Sequence, residues 1–286
     1  MNTDFYDSVF EENIKRGIDS GIITITENQR RITYHCKRDY SAFLKDPEEK
    51  NRASCFCELV LDYGYPPENI DIEVVIPKTI PEDKADIIVY DDNGAEYLMV
   101  ECFESWITGD EYEYAIELSS EKAEHVQSKF FALTADVRKT VFKAEGFKLY
   151  ETYKNTIADI PTKYGEIPQY RFIKGVKDLK KVNKKTVKTL LELANFIAWQ
   201  GGTIYDPEAE LEVNKLVQVK IKDEATTKYG EVYKFQIETK ESPQHLLYKI
   251  NSIYYNIQQS DDILLQPDTV YKIVEVLQDI ELSSAI

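Results

Sequence analysis

The chain has 286 residues, 43% of them hydrophobic with 20 Tyr and 12 Phe, which is ample for a packed core and unlike a disordered composition. With 51 acidic against 35 basic residues the formal charge is −16, so any DNA contact must come from a local basic patch or a partner. No apolar run approaches the roughly 20 residues that span a bilayer, Met1-Asn2-Thr3-Asp4 is not a secretory signal, and Cys36, Cys55, Cys57 and Cys102 lack Cys-x-x-Cys spacing, which together read as a cytoplasmic, non-membrane protein with reduced thiols.

Alternating residues in 21–26 and 31–36 around Glu27-Asn28-Gln29-Arg30 predict a hairpin. Asp46-Pro47-Glu48-Glu49 reads as a capped helix start, with Phe56, Leu59, Val60 and Tyr63 on one face up to Gly64-Tyr65-Pro66-Pro67. Strands are predicted over 70–77, 85–90 and 97–102, their short links favouring a mixed or antiparallel sheet. A helix over about 113–130 follows, then short strands at 131–134 and 138–142. The predicted organisation is an α/β domain over 1–165, a basic connector over 166–182 and a mainly helical domain over 183–286.

In the helical part, 185–200 carries Val187, Leu190, Leu191, Leu193, Ala194, Ile197 and Ala198 at helical spacing and ends at Gly201-Gly202. Asp206-Pro207-Glu208 opens another helix with Leu211, Leu216, Val217 and Val219 expected inside. Two more are predicted over 245–256 and 267–277; no internal repeat is evident. Residues 171–190 hold Arg171, Lys174, Lys177, Lys180, Lys181, Lys184, Lys185 and Lys188 against Asp178 alone. That run is either a nucleic-acid-binding patch or the solvated face of a linker.

Chemistry is concentrated between Ala85 and Phe103. Asp86 and Glu101 stand at the ends of neighbouring strands, where two carboxylates and the Cys102 carbonyl could hold Mg²⁺, with Glu58 reaching in from the preceding helix. The plain alternative is an Asp after a turn and a Glu in a salt bridge. Cutting a phosphodiester also requires a positive group beside the attacked phosphate, and the residue two after Glu101 is Phe103. Lys84, Lys122 and Lys129 are candidates to replace it, none marked by spacing. With three histidines, His35, His125 and His245, the sequence argues against a zinc site.

At these residues the chain resembles the endonuclease-like amino-terminal domain of type I restriction subunits, a divergent PD-(D/E)xK nuclease, in the form fused ahead of an adenine-N6 DNA methyltransferase. The matching words are Ile25-Thr26-Glu27-Asn28, Ile32 to Tyr40, Asp46-Pro47-Glu48-Glu49-Lys50, Leu61-Asp62-Tyr63-Gly64-Tyr65-Pro66, Ala85 to Tyr90 and Leu98-Met99-Val100-Glu101-Cys102. The resemblance implies a restriction-endonuclease-like mixed sheet flanked by helices, Asp86 and Glu101 as metal carboxylates, Glu58 as the helix acid, and phage defence as the setting. Phe103 stands where that family carries its catalytic lysine, and Leu118 where it carries a glutamine. Loss of transition-state electrostatics alone costs on the order of 10²–10³ in rate, so the resemblance implies a degenerate nuclease.

Further words, Ile197-Ala198-Trp199-Gln200-Gly201-Gly202, Asp206-Pro207-Glu208-Ala209, Lys215-Leu216-Val217, Tyr233-Lys234-Phe235-Gln236 and Thr269 to Val274, resemble the helical region that leads such methyltransferases. No Gly-rich S-adenosylmethionine loop, Asn/Asp-Pro-Pro-Tyr/Phe motif or ATP phosphate loop is present in the sequence. The expectation is therefore a DNA-positioning front part of a restriction-modification enzyme, with double-stranded DNA and a methyltransferase domain or subunit as partners. The alternatives are an active Mg²⁺ endonuclease with a relocated lysine, and a protein-interaction module without DNA contact.

Overall fold

The computed structural model describes residues 7–26, 31–77, 79, 81–103, 110–135, 138–201, 206–258 and 262–284. The start Met1-Asn2-Thr3-Asp4, the turn Glu27-Asn28-Gln29-Arg30, Gly202 and Ala285-Ile286 lie outside these residues. Two compact units divide between Pro168 and Gln169.

The first unit opens with a helix that sequence periodicity did not reveal, α1 (Asp7–Asp19). Three short antiparallel strands follow, β1 (Ile23–Ile25), β2 (Arg31–Tyr34) and β3 (Tyr40–Phe43), so the expected hairpin is extended by a third strand. Cross-strand partners share a face, and the rows Ile23–Tyr34–Tyr40 and Ile25–Ile32–Ala42 turn inward against the core. Helix α2 (Pro47–Leu61) begins where Pro47 and the Asp46 cap dictate, with the Asp46 carboxylate accepting from the Glu48 N–H at 3.1 Å. Its buried face includes Phe56 and Leu59, as the spacing predicts.

Strands β4 (Ile70–Val75), β5 (Lys84–Tyr90) and β6 (Glu96–Phe103) are antiparallel. Helix α3 (Asp110–Val126) then leads to β7 (Phe130–Ala135), which runs parallel to β6; β8 (Arg138–Lys143) and β9 (Thr156–Ile157) close the far edge antiparallel. The sheet order is β4-β5-β6-β7-β8-β9. Apolar side chains from alternate strand positions fill two cores. Ile87, Val100, Cys102 and Ala132 meet α2 on one face, while Ile88, Met99, Phe131 and Leu133 meet Ala115, Ile116 and Ala123 of α3 on the other. This is the mixed sheet flanked by helices that the sequence implies.

The second unit is mainly helical: α4 (Lys184–Gln200), α5 (Asp206–Thr226), α6 (Pro243–Gln258) and α7 (Pro267–Leu277) pack together, α4 against α5 and α7, α6 against the same two. Leu216 and Val219 are buried as expected, but Leu211 is 62% exposed. Ala209, Val213, Leu216 and Lys220 define the inward stripe at i, i+4, i+7 and i+11, and Leu211 lies off it. Residues 169–182 differ from the expected connector because they are built into this unit. Arg171 is buried against Asp279 at 3.0 Å, Ile173 bridges to Val232, and β10 (Lys180–Lys181) pairs in parallel with β11 (Ile280–Glu281).

Close approach of α1 to α2 depends on Gly17, where an added Cβ would lie 2.3 Å from Cys57 Sγ and 3.0 Å from Ile23. Gly17→Ala is expected to destabilise the first unit by about 1–3 kcal/mol in urea unfolding followed by circular dichroism. Adding Cys57→Ala relieves part of that loss; strict additivity of the two substitutions would show that no clash exists.

Candidate functional site

The site lies where β5 separates from its neighbours. Ladder partners run to Ile87 and Val100 between β5 and β6, and the β4–β5 ladder passes from Ile72/Ile87 to Val74/Ala85 without pairing Glu73 and Asp86. In place of a ladder bond, the Asp86 carboxylate accepts the Cys102 N–H at 2.7 Å. Glu101 remains in register with Leu133 on its β7 side. Strand alternation turns Glu101 toward Lys122 of α3, whereas Asp86, at the break in the β4–β5 ladder, reaches Arg52 of α2; the two predicted carboxylates are close enough for the Asp86 charge to act on Glu101.

Each acid already faces a cation. Arg52 Nη2 donates to Asp86 Oδ1 at 2.6 Å and to Glu48 at 2.8 Å, and lies 2.9 Å from Glu73; Arg52 Nη1 donates to Glu49 at 2.5 Å. Tyr34 also donates to Glu49. Glu73 reaches this cluster with φ at 53°, in the left-handed region that costs a non-glycine residue of order 1 kcal/mol or more. On the other side Lys122 of α3 donates to Glu101 Oε2 at 2.8 Å and to the Lys84 carbonyl at 3.0 Å, with Asp83 at 3.3 Å.

Acid outnumbers base here: Glu48, Glu49, Glu73, Asp83, Asp86 and Glu101 meet Arg52, Lys84 and Lys122. Burial, followed by the neighbouring Asp86 charge, pushes the Glu101 carboxyl from 4.5 up to about 8, against the opposing pull of Lys122. Burial also raises Glu48 and Glu49.

These residues fit a divalent cation incompletely. Among the described residues no group of three or more His, Cys, Asp or Glu stands in a metal-holding arrangement. Both Asp86 oxygens and one Glu101 oxygen are engaged, leaving buried Glu101 Oε1 without a hydrogen-bond partner. Cys102 turns its side chain into the α2-side core and offers its N–H to Asp86. Glu58 is directed elsewhere: it pairs with Lys139 of β8 at 2.6 Å, beside a Tyr63–Asp159 hydrogen bond of 2.5 Å. The acids that α2 brings to Asp86 are Glu48 and Glu49, with Arg52. Their i, i+3 and i, i+4 spacing is a signal that sequence reading passed over.

Phe103 packs with Tyr112 against the α3-side core and carries no charge into the site. Of the candidate lysines, Lys122 meets Glu101, Lys84 lies 3.4 Å from Glu73, and Lys129 rests over the Tyr97 and Phe130 rings at 5.4 Å. In the second unit the predicted basic run divides. Lys181, Lys184 and Lys185 are exposed around the start of α4, whereas Lys174 donates to the Glu224 carbonyl at 2.8 Å; Lys177 and Lys180 are half-buried.

Residues 47–161 match the family model described as type I restriction enzyme R protein N terminus (HSDR_N). The match runs from the first residue of α2 to just beyond β9 and contains every member of the acid cluster. It associates this region with restriction-modification systems. No curated protein matches the chain. Among the described residues no helix is long and apolar enough to cross a membrane.

Two outcomes test the cluster. Because the folded pKa of Glu101 lies above its unfolded value, its contribution is fully present below about pH 4.5 and lost as pH rises through about 8. The melting temperature of the protein should therefore fall over that window, with a shallower fall in Glu101→Gln. Arg52→Leu leaves buried Glu49 and part-buried Glu73 and Asp86 without their cation, and denaturant unfolding should register a loss of about 3 kcal/mol.

Proposed function

We propose that the chain is a DNA-positioning part of a restriction-modification enzyme whose nuclease-like site is held in an ion-paired, non-cleaving form. One observation carries this reading: Arg52 and Lys122 occupy Asp86 and Glu101 at 2.6 and 2.8 Å, inside the sheet opening where a metal-dependent nuclease would need free carboxylate oxygens. A guanidinium bound to four carboxylates has no spare charge for a scissile phosphate. With Phe103 in the x-K position the remaining electrostatics favour acids held together over phosphate held in place. When bound, Mg²⁺ would supply charge stabilisation at the phosphate, and of the Asp86 and Glu101 oxygens Glu101 Oε1 is the one without a hydrogen-bond partner.

DNA is assigned as partner from the family match of residues 47–161 and from the exposed lysines Lys181, Lys184 and Lys185. The resemblance of the second unit to methyltransferase-leading helices makes a methyltransferase domain or subunit the second partner. A specific contact favours one other reading, a Mg²⁺-dependent endonuclease with a relocated lysine. Lys122 places an amine on Glu101 from α3, where it could replace the charge absent at Phe103.

Incubation of the protein with supercoiled plasmid in Mg²⁺ or Mn²⁺ separates the two. No nicking is expected; nicking lost in both Glu101→Ala and Lys122→Met would install the endonuclease reading. For binding, duplex affinity should fall with salt. Neutralising Lys181, Lys184 and Lys185 should reduce the log–log slope by roughly 0.9 for each phosphate contact removed. Affinity independent of salt would instead favour a protein-interaction module.

A further inference from the structure

The outward face of the β1–β2–β3 sheet has a chemistry that neither the core nor the acid cluster explains. Register places Thr24, Thr33 and Ser41 in one cross-strand row and sets Arg31 opposite Phe43 in the next. Thr33 Oγ1 and Ser41 Oγ are 2.8 Å apart, Thr24 Oγ1 lies 3.4 Å from His35 Nε2, and the Thr26 N–H donates to the Arg31 carbonyl, extending the row. Phe43 is 66% exposed, with the Arg31 guanidinium 5.6 Å from its ring centroid. Among the described residues Arg31 has no carboxylate partner. None of these outward residues is acidic, although the chain carries 51 Asp and Glu. Exposed Lys37, Arg38 and Lys45 follow at the rim, Arg38 paired with Asp71 at 2.8 Å and Lys37 over the Tyr90 ring, with Asp39 beside His35.

We propose that this face is a platform for an unpaired DNA strand, with a base stacked on Phe43 and phosphates met by Arg31 and the hydroxyl row. An exposed ring on a sheet offers a stacking surface that any unpaired base accepts. Bases inside a duplex are already stacked on one another and cannot use it. Arg31 supplies charge beside the ring, and short hydroxyls donate to phosphate oxygens without the desolvation cost of buried cations. Local charge is complementary to a polyanion in a chain that otherwise repels one. The choice of DNA over other polyanions rests on the proposed function; the stacking geometry does not.

The test uses the full chain and fluorescence anisotropy with labelled oligothymidylate and a duplex of equal length. Phe43→Ala should weaken oligothymidylate binding about tenfold and leave duplex binding within about twofold. Phe43→Trp should restore affinity, and Arg31→Gln should lower the salt dependence of oligothymidylate binding. Both side chains are exposed, and unchanged circular dichroism verifies the fold. If duplex is bound while oligothymidylate is not, or is bound equally by Phe43→Ala and Arg31→Gln, the platform is wrong and the proposed function stands. If neither DNA is bound, both fall.

Discussion

Arg52 is the interaction on which the first unit turns. Its guanidinium joins Glu48 and Glu49 of its own helix to Glu73 of β4 and Asp86 of β5, at a point where the backbone ladders around Asp86 are interrupted. Four carboxylates converging without that cation would repel strongly in a partly dry environment. A planar fork with several donors can satisfy them together, which a lysine ammonium could not do with the same geometry. The positive φ of Glu73 shows that local backbone comfort yields to this arrangement.

That constraint reaches the chemistry. A phosphodiester-cutting site and a buried ion-pair cluster require similar residues, acids at strand ends with cations close by. They differ in what the acids face. Here Asp86 faces Arg52 and a backbone N–H, and Glu101 faces Lys122, so the charges hold α2 and α3 to the sheet. Lys139 and Glu58 form a further internal pair between α2 and β8.

The second unit uses buried polar groups differently, to hold loop backbone. Gln236 accepts from the Arg171 and Phe172 N–H groups and donates to the Phe172 and Tyr233 carbonyls. Asp223 accepts from Lys234 and Phe235, and Glu224 accepts from Leu282 and Ser283. Such satisfied contacts let irregular segments cross a helical core. Arg171 and Lys174 belong to this scaffold, which leaves Lys181, Lys184, Lys185 and Lys188 as the exposed basic positions of their run.

Local rules read well from the chain alone. Asp46-Pro47 set the start of α2, short apolar runs set β5 and β6, helical spacing set α4 and an early proline set the start of α7, because each depends on neighbours a few residues away. Helix α1 escaped because the close approach at Gly17 is defined by Cys57 and Ile23, and Leu211 was misplaced because a single apolar residue does not reveal which stripe faces inward. Sequence by itself determined that Asp86 and Glu101 would stand on neighbouring strand ends and that Phe103 brings no charge. Only the tertiary structure decided that Arg52 and Lys122 meet those acids and that Glu58 turns to Lys139, since pairing across 34, 21 and 81 residues depends on how helices dock on the sheet.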